Sequence, residues 1–184
     1  MGVVLGLSTR GMDVIEAIKT RRSVRRFKRQ PVPDDLINMI IESGIWAPSA
    51  GNLQPWEFVI VKDEDLKLRL AKAALHQMWI AEAPVVIVAC ANERRSQLGY
   101  GERGRRLYCI CDVSAAVQNM LLTAHALGLA SCWVGAFHDD EVAELLELPP
   151  GVRPIAILPI GYPAESPPPP PRRGAKEVIH LNRY

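Results

Sequence analysis

Two short stretches of this chain carry residues whose types and spacing could do chemistry. In Arg21-Arg22-Ser23-Val24-Arg25-Arg26-Phe27, four guanidinium groups and a hydroxyl fall within seven residues. Guanidinium donates two parallel hydrogen bonds and stays charged at any working pH, so the segment suits a phosphorylated ligand. If Arg21 to Arg29 is extended, alternation puts Arg21, Ser23, Arg25 and Phe27 on one side and Arg22, Arg26 and Lys28 on the other. A solvated basic face or a nucleic-acid patch are the alternatives. The second stretch, Ala47-Pro48-Ser49-Ala50-Gly51-Asn52-Leu53-Gln54-Pro55-Trp56, reads as a loop. Ser49, Asn52 and Gln54 offer donors and acceptors for the edge of a heterocycle, Gly51 lets the backbone approach closely, and Trp56 is expected in the core.

Other chemistry finds no apparatus. Gly99-Tyr100-Gly101-Glu102-Arg103-Gly104 matches a dinucleotide fingerprint in letters, but no apolar strand leads into it, and the reading is rejected. There is no Walker, HExxH or GxSxG sequence, and His76, His125, His138 and His180 are scattered, so no metal site is expected. Cys132 with His138 could be a nucleophile and base, yet Cys132 lies in an apolar stretch and reads as a buried, inert thiol. Asp34-Asp35 and Asp139-Asp140 fall at helix starts, where capping and the helix dipole explain them. A chain without its own acid, base, nucleophile or metal can still do redox chemistry through a bound cofactor, which points to flavin.

The elements that must position these residues follow from patterning. At 184 residues and 48% hydrophobic, one domain is expected. A net charge of +2 and 6% aromatic residues argue against nucleic acid or an anionic membrane as partner, and the longest apolar stretch, Ala83 to Ala91, reads as a buried strand. Met1 to Leu7 lacks the features of a secretory or myristoylation signal, and Cys90, Cys109, Cys111 and Cys132 form no CxxC pair, so a reduced cytoplasm is expected. Helices are predicted over 14–19 (capped by Asp13), 33–43, 63–80, 112–127 and 139–146, with strands over 57–61, 84–91, 130–135 and 153–161. Residues 92–106 are polar and read as irregular. The run Pro167 to Pro171 is stiff and extended, leaving 163–184 as an arm whose Val178, Ile179 and Leu181 need a surface to pack on.

Taken in order and spacing, these segments resemble the FMN-dependent nitroreductase family, particularly its short members. The resemblance runs through Arg21 to Phe27, Ala47-Pro48-Ser49 with Asn52 to Trp56, Tyr100 to Gly104, Gly128 to Gly135, and Gly161-Tyr162-Pro163 before the proline run and Arg172-Arg173. It implies an α+β fold of three layers, a mixed, largely antiparallel sheet flanked by helices, in an intertwined homodimer with FMN at the interface. By analogy Arg21, Arg22, Ser23 and Arg25 line the FMN, with Arg172 or Arg173 on its phosphate. Pro48, Ser49 and Asn52 reach in from the other subunit, and the backbone of Val134, Gly135 and Ala136 faces the ring.

The activity so implied is ping-pong transfer of electrons from NADH or NADPH through FMN to nitroaromatic, quinone or flavin acceptors. Arg25 is the expected cation near N1 and the C2 carbonyl, stabilising negative charge on the reduced ring by its field. No side chain is assigned a catalytic role of its own. The alternatives are a non-catalytic flavin carrier or sensor, and a cofactor-free protein whose basic segment binds a polyanion.

Overall fold

The uninterrupted apolar run Val85–Asn92 (β2) forms the centre of an antiparallel sheet in this computed structural model, which describes residues 11–184; the expectation for residues 1–7 lies outside them. Both faces of β2 are covered, which is why its pattern does not alternate. Trp56–Val61 (β1) pairs along one side of it and Val152–Gly161 (β4) along the other, and Ala130–Ser131 (β3) adds to β4, giving the order β1-β2-β4-β3. The β2–β4 register shifts between Ala89 and Cys90, opposite Pro154, a residue without an N–H to donate. The parallel component that makes the sheet mixed is a single bridge, Ser23 to Ser131.

Two apolar clusters lie on the two faces. One packs Asp34–Ile45 (α2) and Cys109–Ala126 (α5) on the sheet through Ile37, Ile40, Val113, Val117, Met120 and Leu121. The other gathers Glu64–Ala73 (α3) and Asp139–Leu145 (α6) around Leu70, Ala71, Ile80 and Val142. The result is the three-layer α+β arrangement expected. Val14–Thr20 (α1) is capped by Asp13, whose carboxylate accepts from the amides of Ile15 and Glu16.

Three expectations need correction. The helix predicted over 63–80 stops at Ala73: Leu75 and His76 take left-handed φ of 55° and 59°, and Met78–Glu82 is a separate 3₁₀ turn. The turn buries Ile80, and the apolar spacing that continues through it is what made the two pieces read as one. Residues 92–106 are helical, not irregular, as Glu93–Arg103 (α4) runs into a π-turn, Gly104–Tyr108. Asn92 caps α4, Glu102 pairs with Arg105 and Arg106, and Glu93 pairs with Arg105 and Arg153, so stability comes from ions and caps that leave no apolar period to read. Of the strand predicted over 130–135 only Ala130–Ser131 is regular, with Val134 returning as an isolated bridge to Ile157.

Of the glycines of the rejected fingerprint, Gly104 serves helix packing, since a Cβ there would stand 2.2 Å from the Ser96 carbonyl oxygen, whereas Gly101 takes φ of 56° at a kink in α4. The run Glu93–Ala126 is long and apolar enough to cross a membrane by length and composition alone. Burial of Val113, Ala116, Val117, Met120, Leu121 and Ala124 in the core accounts for that apolarity. Cys132 is buried as expected, Cys90 and Cys109 are buried too, and Cys111 is exposed.

Gly44 sets how closely α2 approaches α5, since a Cβ there would lie 3.0 Å from both Cγ and Sδ of Met120 and 3.3 Å from Cζ of Phe58. Gly44→Val is therefore expected to lower folding stability by about 1–3 kcal/mol through overpacking, read as a lower urea midpoint with an unchanged m-value.

Candidate functional site

The basic segment is held extended by neighbours rather than by a strand of its own. Val24 N donates to Ser131 O at 3.1 Å, Lys28 N to Tyr162 O at 2.9 Å, and Ala164 N to Arg26 O at 2.9 Å, so the segment lies between β3 and the chain leaving β4. Val24 and Phe27 are its buried anchors, three residues apart. The predicted alternation therefore fails for Phe27, which points into the core while Arg25 is exposed. Arg21, Ser23 and Arg25 do share a side, since all three pull the pKa of the Cys132 thiol down against burial.

Arg21 is only partly exposed, and burial pulls its pKa below the ordinary arginine value; Cys132 opposes the shift while Arg172 and then Arg22 add to it. Among the described residues, neither the Arg21 nor the Arg25 guanidinium has a hydrogen-bond acceptor or an acidic partner. The Arg25 guanidinium stands 5.7 Å over the Trp79 ring, and its backbone amide donates to Glu165 Oε1 at 2.6 Å. Arg22 turns away, donating to the carbonyls of Lys19 and Arg21 at the end of α1. Both carboxy-terminal arginines donate within the tail, Arg172 to the Pro171 carbonyl at 3.0 Å and Arg173 to the Glu177 carbonyl, and Arg172 also contributes to lowering the pKa of Arg21.

Behind the segment, a cavity of about 150 Å³ is lined by Thr20, Arg22, His125, Ser131 and Glu165 among others. Thr20 Oγ1 donates to Glu16 O at 2.6 Å, which leaves His125 Nε2 as the donor to Thr20 Oγ1 at 2.8 Å. Burial, then Arg21 and Arg22, holds the His125 pKa below the usual value, so the imidazole adds no further positive charge at neutral pH.

The polar loop is built on the opposite end of α5. Ala50–Asn52 is a single 3₁₀ turn whose Ala50 amide donates to Asp112 Oδ1 at 3.0 Å. Gly51, Asn52 and Gln54 have φ of 56°, 54° and 51°, a conformation that costs a non-glycine residue about 1–3 kcal/mol unless its surroundings impose it. The ties are Gln54 N to Ser49 Oγ at 3.0 Å, Gln54 Nε2 to Asn52 Oδ1 at 3.1 Å, and Arg95 Nε to the Leu53 carbonyl. Tyr100 closes over the turn, where a Cβ on Gly51 would come 2.7 Å from its hydroxyl. Gly51 thus serves the approach of Tyr100. Pro48 and Asn52 are exposed, Ser49 is partly exposed, and Trp56 is buried as predicted.

Asp112 and His125 are thirteen residues apart on one helix, which separates the two clusters by about 20 Å along its axis. Arg21, Ser23, Arg25, Cys132 and Arg172 form one constellation, and Pro48, Ser49 and Asn52 form another that the same chain does not bring to it. Val134 is buried and bridged to Ile157, while Gly135 and Ala136 that follow it are exposed. A larger groove of about 880 Å³ lies elsewhere, between Phe27–Val32 and α3, where Lys67 is already satisfied by Glu64 and the Ala83 carbonyl. Sequence reasoning missed Trp79, Glu165, Tyr100 and the role of Asp112. Only Asp112 left a signal, an acid on the apolar face of a core helix.

The family model described as the Nitroreductase family matches residues 18–83 and 73–162. An NADH dehydrogenase of Thermus thermophilus is 33% identical over 181 residues, covering 84% of this chain and 88% of that protein. An FMN reductase [NAD(P)H] of Bacillus subtilis is 30% identical over 185 residues, covering 94% and 74%. Among solved structures, the NADPH:FMN oxidoreductase from Vibrio harveyi complexed with NAD+ superposes with a TM-score of 0.86 at 30% identity, covering 93% of this chain and 77% of that one.

The thiols provide a test of which groups are reactive. Burial, then Glu57, pushes Cys90 up to about 12, and burial raises Cys132 against the pull of Arg25, Ser23 and Arg21. Iodoacetamide at mildly alkaline pH is expected to leave both unmodified in the folded protein and to label them only after unfolding, as read by peptide mass spectrometry. Rapid labelling of native Cys132 would make it a nucleophile.

Proposed function

The chain belongs to the nitroreductase family, and from that premise we propose that it is an NAD(P)H-dependent FMN oxidoreductase, passing electrons to nitroaromatic, quinone or flavin acceptors. The observation that carries the reading is the unpaired Arg21 guanidinium, partly buried beside Arg172. Like charges held together in a partly desolvated place repel unless a dianion joins them, and a phosphate has the charge and geometry to do so. The donor set fits FMN: Arg21 and Arg172 for the phosphate, Ser23 beside them, Arg25 for the polar edge of the ring, and the exposed backbone of Gly135 and Ala136 after the buried anchor Val134. Arg22 closes α1 and contributes its field, and Arg173 is directed into the tail.

FMN, when bound, supplies hydride acceptance and electron transfer; the protein contributes binding, orientation and field. Arg25, braced by Trp79 and with its backbone fixed by Glu165, keeps a permanent positive charge where negative charge accumulates on reduction. Cys132, held as a thiol, takes no proton from this site. We read the chain as a single domain with 163–184 as its arm, acting as a homodimer. The separation of the two clusters along α5 supports a site shared between subunits, with Pro48, Ser49 and Asn52 facing the cofactor held by the partner. The exposed Ile18, Ile45 and Trp46 of the α1 and α2 region, and Val178, Ile179 and Leu181 of the arm, supply apolar surface for such a dimer.

Three outcomes test this. Protein reconstituted with FMN should show flavin absorbance that bleaches on anaerobic addition of NADH or NADPH; flavin that binds and does not bleach would leave a carrier or sensor. Arg21→Ala should weaken FMN about 10- to 100-fold while leaving riboflavin, which has no phosphate, bound as in the wild type. Mixed dimers of Arg21→Ala and Ser49→Ala subunits should recover one intact site each, so titrating one inactive variant into the other should restore FMN binding. No recovery in mixed dimers would place both residues in one subunit's site.

A further inference from the structure

Asp112 stands out among the groups that the proposed chemistry does not use. It lies on the face of α5 that carries Val113, Ala116 and Val117 into the core, and it is 7% exposed. One carboxylate oxygen accepts from Ala50 N at 3.0 Å, and the other, Oδ2, is buried with no hydrogen-bond partner among the described residues. Burial raises its pKa above the ordinary aspartate value, opposed only by the Ala50 amide, and no cation compensates it. A residue serving packing alone would be better replaced by an apolar side chain of similar size, because an unpartnered buried carboxylate opposes folding.

What Asp112 holds is the middle of the loop that presents Ser49 and Asn52. Its bond to Ala50 falls one residue before Gly51 and two before Asn52, where the backbone enters the left-handed region. The remaining ties are internal to the loop or come from the exposed side chains of Arg95 and Tyr100. Asp112 is the tie that connects this turn to a buried position of the most extensively packed helix. Strained backbone persists only where surrounding structure imposes it, so the group that imposes it controls the geometry of everything the loop presents.

We propose that Asp112 is a positioning residue that locks the Ser49–Gln54 loop in its cofactor-facing form by accepting the Ala50 amide. The inference rests on the FMN reading above. Its action is geometric: an acceptor at this place suffices, and the carboxylate's charge is not required. Asparagine keeps an acceptor oxygen in the same position, whereas alanine keeps none.

The test compares wild type, Asp112→Asn, Asp112→Ala and Ala50→Pro. The last removes the loop's donor without touching the core, at the first position of a helical turn where proline is tolerated. Two readouts are taken: FMN affinity from quenching of flavin fluorescence, and amide exchange of residues 49–54 in the flavin-free protein. Asp112→Ala is expected to weaken FMN by on the order of tenfold and to speed exchange across the loop alone, with Ala50→Pro matching it in affinity. Asp112→Asn should bind FMN within about threefold of wild type, keep the loop protected and melt no lower. Wild-type affinity and protection in Asp112→Ala would overturn the proposal, as would an asparagine variant as defective as alanine. Should Asp112→Ala not fold, undiminished FMN affinity in Ala50→Pro would overturn it. A wild-type protein that binds no FMN would instead remove the functional reading, while the exchange data would still report whether Asp112 orders the loop.

Discussion

Burial of α5 beside α2 on one face of the sheet is the constraint on which the rest of the structure depends. Its small and medium apolar residues, Ala116, Val117, Met120 and Ala124, are buried in that core, and Gly44 lets α2 come close to Met120. A helix held that tightly has fixed ends. One end carries Asp112 and the strained polar loop, and the other carries His125 with the arginine segment and β3 beside it. The distance between them is set by helical rise.

The arginine segment illustrates how an unfavourable charge distribution is imposed by favourable backbone bonding. Its amides and carbonyls are tied to Ser131, Tyr162 and Ala164, and Val24 and Phe27 sink into the core. These bonds hold Arg21 and Arg25 on the Cys132 side regardless of what their side chains would prefer in water. Electrostatic stabilisation of this sort needs no movement when charge develops, because the cost of arranging the cations was met on folding. On neighbouring groups burial acts in opposite senses, raising the pKa of the Cys132 thiol and lowering that of His125.

Polar elements show where reading by periodicity stops. α4 is held by a cap at Asn92 and by the ion pairs of Glu93 and Glu102, none of which has a 3.6-residue apolar signature. The break after Ala73 likewise left the apolar spacing intact, because left-handed turns at Leu75 and His76 return Ile80 to the core. In both places a residue distant in the chain also takes part: Arg153 on β4 pairs with Glu93 of α4, and the amide of His138 donates to the Ala73 carbonyl at the break.

Local pattern by itself determined the buried strand Val85–Asn92, the core helix with its face from Val113 to Ala124, the cap at Asp13, and the chemical character of the arginine segment. Those features are written in hydrophobic period and side-chain type, both of which act over one or two turns of chain. Only the tertiary structure decided that Phe27 turns inward while Arg25 stays out, that Arg22 donates to the end of α1 and Arg173 into the tail, and that Asp112 anchors a loop sixty-two residues earlier. These depend on which surfaces meet after collapse, where one buried hydrogen bond or one buried side chain selects among arrangements that a linear sequence presents as equivalent.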